Sequence, residues 1–168
     1  MDGYNSFHLA RIEQHGVVFP IILKILNKAF KISSLTKKWS SFEVCTVNVF
    51  INYCNVHLLG IYTPPNTNIQ DFILELHDFL SLNFTSDSKI IIAGDLNICH
   101  LTDSNHYVEL LNMLQSLSFS PLTCVVDTSN GLNDHISSNI ELPFISFVFE
   151  TDVADHYLVS TFVRYIYK

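Results

Sequence analysis

Glycine is scarce in this chain: five in 168 residues, less than half the usual share of about 7%. A residue this rare is expected where no side chain would fit, so each position is informative. Charged residues are also few, at 15% against a hydrophobic fraction of 48%. That balance excludes a disordered chain and a coiled coil, and the length suits one domain with a sizeable core. Nine Lys+Arg stand against 16 Asp+Glu, for a net charge of −7. A broad basic surface for gripping nucleic acid is therefore not expected, although a few local phosphate contacts are compatible. The four cysteines, Cys45, Cys54, Cys99 and Cys124, form no C-x-x-C pair, and are expected to be reduced core thiols of an intracellular protein. No basic stretch followed by an apolar one opens the chain, so no signal peptide is expected. The greasiest run, Val17 to Leu26, contains Pro20 and Lys24 and is about half the length of a membrane helix. No membrane partner is expected.

What the chain does contain is alternation of two periodicities. Val17 to Ile25 reads as a strand or edge segment, and Lys28 to Lys38, with four lysines, as a solvated connection. Glu43 to Asn52 and Asn55 to Tyr62 read as a hairpin, ended by Pro64-Pro65, which cannot donate to a ladder. Ile69, Phe72, Ile73, Leu76, Phe79 and Leu80 recur at helical spacing behind a capping Asn68. Lys89 to Ala93 is a short apolar run suited to a buried central strand, and Ser104 or Asn105 starts a second amphipathic helix through Leu117. Strands are expected over roughly 123–126, 134–138, 144–149 and 157–165. Strands alternating with helices, together with hairpins, predict an α/β domain of mixed sheets.

Polar residues at the ends of buried strands are where a rigid sheet can aim chemistry into a cleft. Tyr62 ends LLGIY, Asp95 and Asn97 follow IIIAG, Asp134 enters a strand, and Asp155-His156 precede YLVSTFV. Each alone has a plain explanation as turn, cap or core. Their joint order is more specific.

That order resembles the endonuclease/exonuclease/phosphatase superfamily, and within it the apurinic-like endonuclease domain of non-LTR (LINE, jockey-type) retrotransposons. The matching blocks are G-Y-N-x-F at Gly3, H-G-V-V at His15, G-I-Y-T-P-P at Gly60, I-I-I-A-G-D-L-N-I at Ile90, L-N-D-H-I at Leu132 and A-D-H-Y at Ala154. All five glycines fall in or beside them. The resemblance implies a four-layer αββα sandwich of the DNase I-like type and Mg²⁺-dependent (or Mn²⁺-dependent) nicking of DNA. It also implies a reverse transcriptase in the same element and a nuclear location. By the same resemblance Asp95 positions or deprotonates the attacking water, and Asn97 orients it and holds the phosphate. His156 donates to the phosphate, Asp134 supports that His, Tyr62 contacts the phosphate or an active-site oxygen, and Asp155 helps with water or metal.

The departures are as specific. The family's catalytic Asn and principal metal-binding Glu precede the part that aligns here, which implies an N-terminally truncated copy of impaired activity. Glu13 and Glu43 lie outside the context of that Glu. Thr63 stands for the Arg of Y-R-P-P, His15 for a Gly, and Leu122-Thr123-Cys124 for a P-T-R block. Two alternatives stay open: an inactive remnant or binding module of the same fold, and a phosphoesterase on small or lipid phosphates.

Overall fold

The computed structural model describes residues 4–9, 19–24, 32–51, 54–99, 104–122, 134–141, 144–149 and 158–163, with side chains for 39–50, 54–99, 105–122 and 134–141. Its elements in chain order are β1 (Tyr4–Leu9), β2 (Phe19–Lys24), β3 (Ile32–Lys38), β4 (Glu43–Ile51), β5 (Cys54–Tyr62), α1 (Ile69–Asn83), β6 (Lys89–Asp95), α2 (Ser104–Ser116), β7 (Ser120–Pro121), β8 (Asp134–Ser138), β9 (Phe144–Phe149) and β10 (Leu158–Val163). Six strands form one sheet in the order β3-β4-β5-β6-β8-β7. Only the β5–β6 pair among its described ladders is parallel, because α1 supplies the crossover that a parallel pair needs. β1 pairs with β2, and β9 with β10, both antiparallel.

Helix α1 forms where the spacing predicts it. Asn68 stays extended (φ −65°, ψ 114°) and accepts from the Gln70 N–H, satisfying one of the donors that a helix start leaves orphaned. The stripe Phe72, Ile73, Leu76, Phe79 and Leu80 is buried against Val44, Leu59, Ile61, Ile90 and Ile92 of the sheet. Each such side chain contributes about 1.5–3 kcal/mol on leaving water. α1 ends when the Asn83 amide takes the Phe79 carbonyl (2.7 Å) and Phe84 turns extended. α2 adds Leu110 and Leu114 to the same core. Its end is closed by a bond from Phe119 N–H to the Leu114 carbonyl (2.9 Å) around Ser118 at φ 65°, the role usually given to glycine.

The core thus marks one face of the large sheet as the helix face. The opposite face is also covered: Cys45, Val47, Val49 and Val56, which alternate with the helix-facing residues, are 0–5% exposed. The strands that approach there are β1 and β2, against β4 and β5, while β10 approaches β8. This is the helix–sheet–sheet part of an αββα sandwich; helices of a fourth layer are not among the described residues. Cys45 is a buried thiol, and burial pushes it above its ordinary pKa, whereas Cys54 and Cys99 are half-buried. No described helix is long and apolar enough to cross a membrane.

One expectation needs correcting. Residues 32–38, read as a solvated connection, form β3, paired with β4 along its whole length. Lys37 and Lys38 sit on an edge strand, where charge discourages pairing with another chain, and they mimic a loop in composition; Lys28 and Lys31 lie outside the described residues. The strand expected over 123–126 lies outside the described residues.

Candidate functional site

Register brings the strand-end residues together. Glu43 lies opposite Tyr62, Tyr62 beside Asp95 and Asp95 opposite Asp134. The four form one row across β4, β5, β6 and β8. Phe42, Val44, Ile61 and Ile92 belong to the helix-side core, and His135 meets Tyr107 of α2 (ring centroids 5.5 Å). Alternation therefore assigns the row to the other face, toward the second sheet. Three of the expected site residues, Tyr62, Asp95 and Asp134, share this row, and Asn97 folds back onto it.

Gly94 makes the approach of β5 and β6 possible here. Its φ is +157°, and a Cβ at this position would be driven into the carbonyl of Ile61. Beyond it, Asp95 Oδ1 accepts from the Asn97 main-chain N–H (3.0 Å), an Asx-type turn. Asn97 adopts φ 49°, a left-handed conformation that Asn tolerates better than most residues. Its Nδ2 donates to the Thr63 carbonyl (2.6 Å) and, more weakly, to Asp95 Oδ2 (3.4 Å). The Thr63 carbonyl can only accept, so it fixes which end of the amide is nitrogen. Thr63 N–H in turn donates to the Asp95 carbonyl (3.0 Å).

The turn is anchored from below. Leu96 and Ile98, which flank Asn97, are 2% and 0% exposed within the core. His135 Nε2 donates to the Ile98 carbonyl (2.9 Å), so the residue after Asp134 pins the loop after Asp95. Polar positions thus sit on a turn that alternates between core anchors and site groups, the rigidity that a catalytic constellation requires.

With both amide hydrogens of Asn97 engaged, what it offers a ligand in this geometry is Oδ1, an acceptor. It suits the orienting of a water better than the gripping of an anionic phosphate. Glu43, which the sequence context left without a role, is a further member of the row. Only the cross-strand register reveals it. Asp155 and His156 lie outside the described residues; β10, which begins at Leu158, approaches β8. Among the described residues no group of three or more His, Cys, Asp or Glu is placed to hold a metal ion, so they do not by themselves make a metal centre.

No family model matches the chain, and no curated protein does. Solved structures do. The endonuclease domain of TRAS1, a telomere-specific non-LTR retrotransposon, superposes with a TM-score of 0.69 at 14% identity, over 98% of this chain and 82% of that one. An endonuclease/exonuclease/phosphatase family protein from Leptotrichia buccalis gives 0.69 at 14%, over 98% and 74%. A mannosyl-6-phosphatase from Bacteroides thetaiotaomicron gives 0.63 at 10%, over 98% and 78%. The chain has the fold of the endonuclease/exonuclease/phosphatase proteins, the superfamily its motifs resemble.

Proposed function

We propose that this chain is a phosphodiesterase of the endonuclease type, acting on DNA. The observation that carries the reading is Asp95, set in one row with Tyr62 and Asp134 and clasped by the Asn97 turn. A carboxylate held this way takes a proton from a water that attacks phosphorus; a P–O bond forms, one ester bond breaks, and the leaving oxygen is protonated. Asn97 orients the water through Oδ1. His156, with Asp134 in support, supplies the donor for charge developing on the phosphate oxygens. Asp155 is the residue we assign to Mg²⁺ (or Mn²⁺), which when bound would supply positive charge for the same oxygens. A reverse transcriptase of the same element is the partner that the resemblance implies.

Plasmid nicking with Mg²⁺ tests the reading. Wild type is expected to convert supercoiled plasmid to open circles, EDTA to stop it, and Asp95→Ala to slow it about 10³-fold. Equal rates for wild type and Asp95→Ala would sink the assignment. Turnover is expected to be slow, because Thr63 stands where the resembling domains carry an Arg, a bidentate phosphate ligand. The −7 charge favours a second reading, hydrolysis of a small or lipid phosphate. Phosphate release from such a substrate, with plasmid left intact, would establish it instead.

A further inference from the structure

Strand pairing fixes the site as far as Asp95, where β6 ends. The residues that follow leave the ladder, and a buried main-chain carbonyl among them needs a donor from elsewhere. Ile98 is fully buried, and its carbonyl accepts from His135 Nε2 at 2.9 Å. Because a carbonyl can only accept, Nε2 carries the hydrogen. His135 thereby holds the exit of β6 at two points. Its main chain lies opposite Gly94 in the β6–β8 ladder, and its side chain reaches Ile98. Asp95 and Asn97 lie between those two points.

The imidazole is itself held. It is buried, and the Tyr107 ring of α2 lies against it with the two planes 31° apart. Close packing of this kind restricts rotation of the ring and so fixes the direction of the Nε2 hydrogen. An apolar side chain would occupy this part of the helix-side core without the cost of burying an imidazole. It would also leave the Ile98 carbonyl without the His135 donor. The turn above depends on that anchor. Asn97 keeps φ 49°, a conformation few non-glycine residues adopt, and from it grips both Asp95 Oδ1 and the Thr63 carbonyl.

We infer that His135 is a positioning residue for the proposed reaction. Its bond to the Ile98 carbonyl, steadied by Tyr107, keeps Asn97 Oδ1 and the Asp95 carboxylate aimed at one attacking water. His135 acts through the turn, since its side chain faces α2 while the row of Asp95 and Asp134 faces the second sheet. The inference rests on the phosphodiesterase reading above.

Three substitutions and one spectrum test it. His135→Leu fills the space without a donor and is expected to lower kcat for nicking about 10- to 100-fold, the scale of a misplaced reacting group, with KM unchanged. His135→Gln places an amide nitrogen where Nε2 stands and is expected to restore most of that loss. Equal losses in the Leu and Gln variants, or an effect on KM alone, would overturn the inference. In ¹⁵N spectra the Asn97 side-chain amide is identified by its absence in Asn97→Asp. His135→Leu is expected to displace that signal and His135→Gln to return it, although both variants lack the ring. A signal that stays in place in His135→Leu refutes the positioning whether or not DNA is nicked. If wild type nicks no DNA, the functional reading fails while the spectra still decide the positioning. Should His135→Leu not fold, His135→Asn, whose amide stops short of the Ile98 carbonyl, is expected to show the same loss and displacement.

Discussion

At its Lys89 end β6 is tied down by side chains that bond main chain; at its Asp95 end, main chain holds side chains. Asn139 Oδ1 accepts from Ile90 N–H (2.7 Å), and its Nδ2 donates to the Ser88 carbonyl (2.7 Å). Ser138 Oγ donates to the Ile90 carbonyl (2.9 Å). These polar groups are consumed in closing the sheet. At the other end the Asn97 N–H and the Thr63 carbonyl grip Asp95 and Asn97, and a row of carboxylates is kept in register. The lesson is that residue type does not separate scaffold from site. An Asn beside a strand end serves either, and the difference lies in how much of the amide main chain consumes: both ends of Asn139, but only the Nδ2 end of Asn97.

The largest effect is expected at Gly94. Its φ and the Ile61 carbonyl behind it leave no room that a flexible side chain could vacate. Gly94→Ala should cost about 3 kcal/mol or more, the combined price of a disfavoured backbone and a backbone clash. Urea denaturation checks this. A midpoint equal to wild type would mean that β5 and β6 are not held this close at the site end.

Asp95→Ala and Asn139→Ala then form a crossed pair. Removing Asp95 is expected to lower nicking about 10³-fold, within the range for losing a general base, while costing stability only about 1 kcal/mol for the turn bond. Removing Asn139 leaves two main-chain groups short of a partner and is expected to cost about 1–3 kcal/mol, with the nicking rate of the folded protein unchanged. Parallel nicking assays and urea melts on both variants decide it. If both lost activity to the same degree, the two ends would not differ in kind.

Much of this was legible before any coordinates. Periodicity located α1 and its Asn68 cap, and the KIIIAGD run located β6 with Asp95 at its exit, because those signals are local. β3 was missed because Lys37 and Lys38 make an edge strand look like a loop, and only pairing with β4 shows otherwise. Glu43 was missed for a related reason. Its neighbours in sequence are core residues, and its neighbours in the site, Tyr62 and Asp95, are set by register across three strands. The spent amide of Asn97 was also invisible, since it depends on the Thr63 carbonyl reached through a left-handed turn. Asp155 and His156, legible as a motif, lie outside the described residues.

The smallest effect separates the two ends by pH. His57, which pairs with Ile90 near the Lys89 end, shares a hydrogen bond through Nδ1 with Asn48 Oδ1 and meets the Phe84 ring edge-on (4.9 Å). Burial lowers its pKa below the ordinary 6.5. The folded protein therefore resists a proton that the unfolded chain accepts from about pH 6.5 downward. Where the unfolded state binds more protons, stability falls as pH falls, and the slope ends once pH passes the folded value. Wild type should therefore lose more stability than His57→Gln between about pH 7 and 5.5, by a shallow margin because the ring is only partly buried. Urea midpoints across that range measure it, and coincident curves would remove His57 from the account. The nicking profile of His57→Gln is expected to overlay that of wild type, since its ring belongs to the end of the sheet that closes the fold and not to the row that holds Asp95.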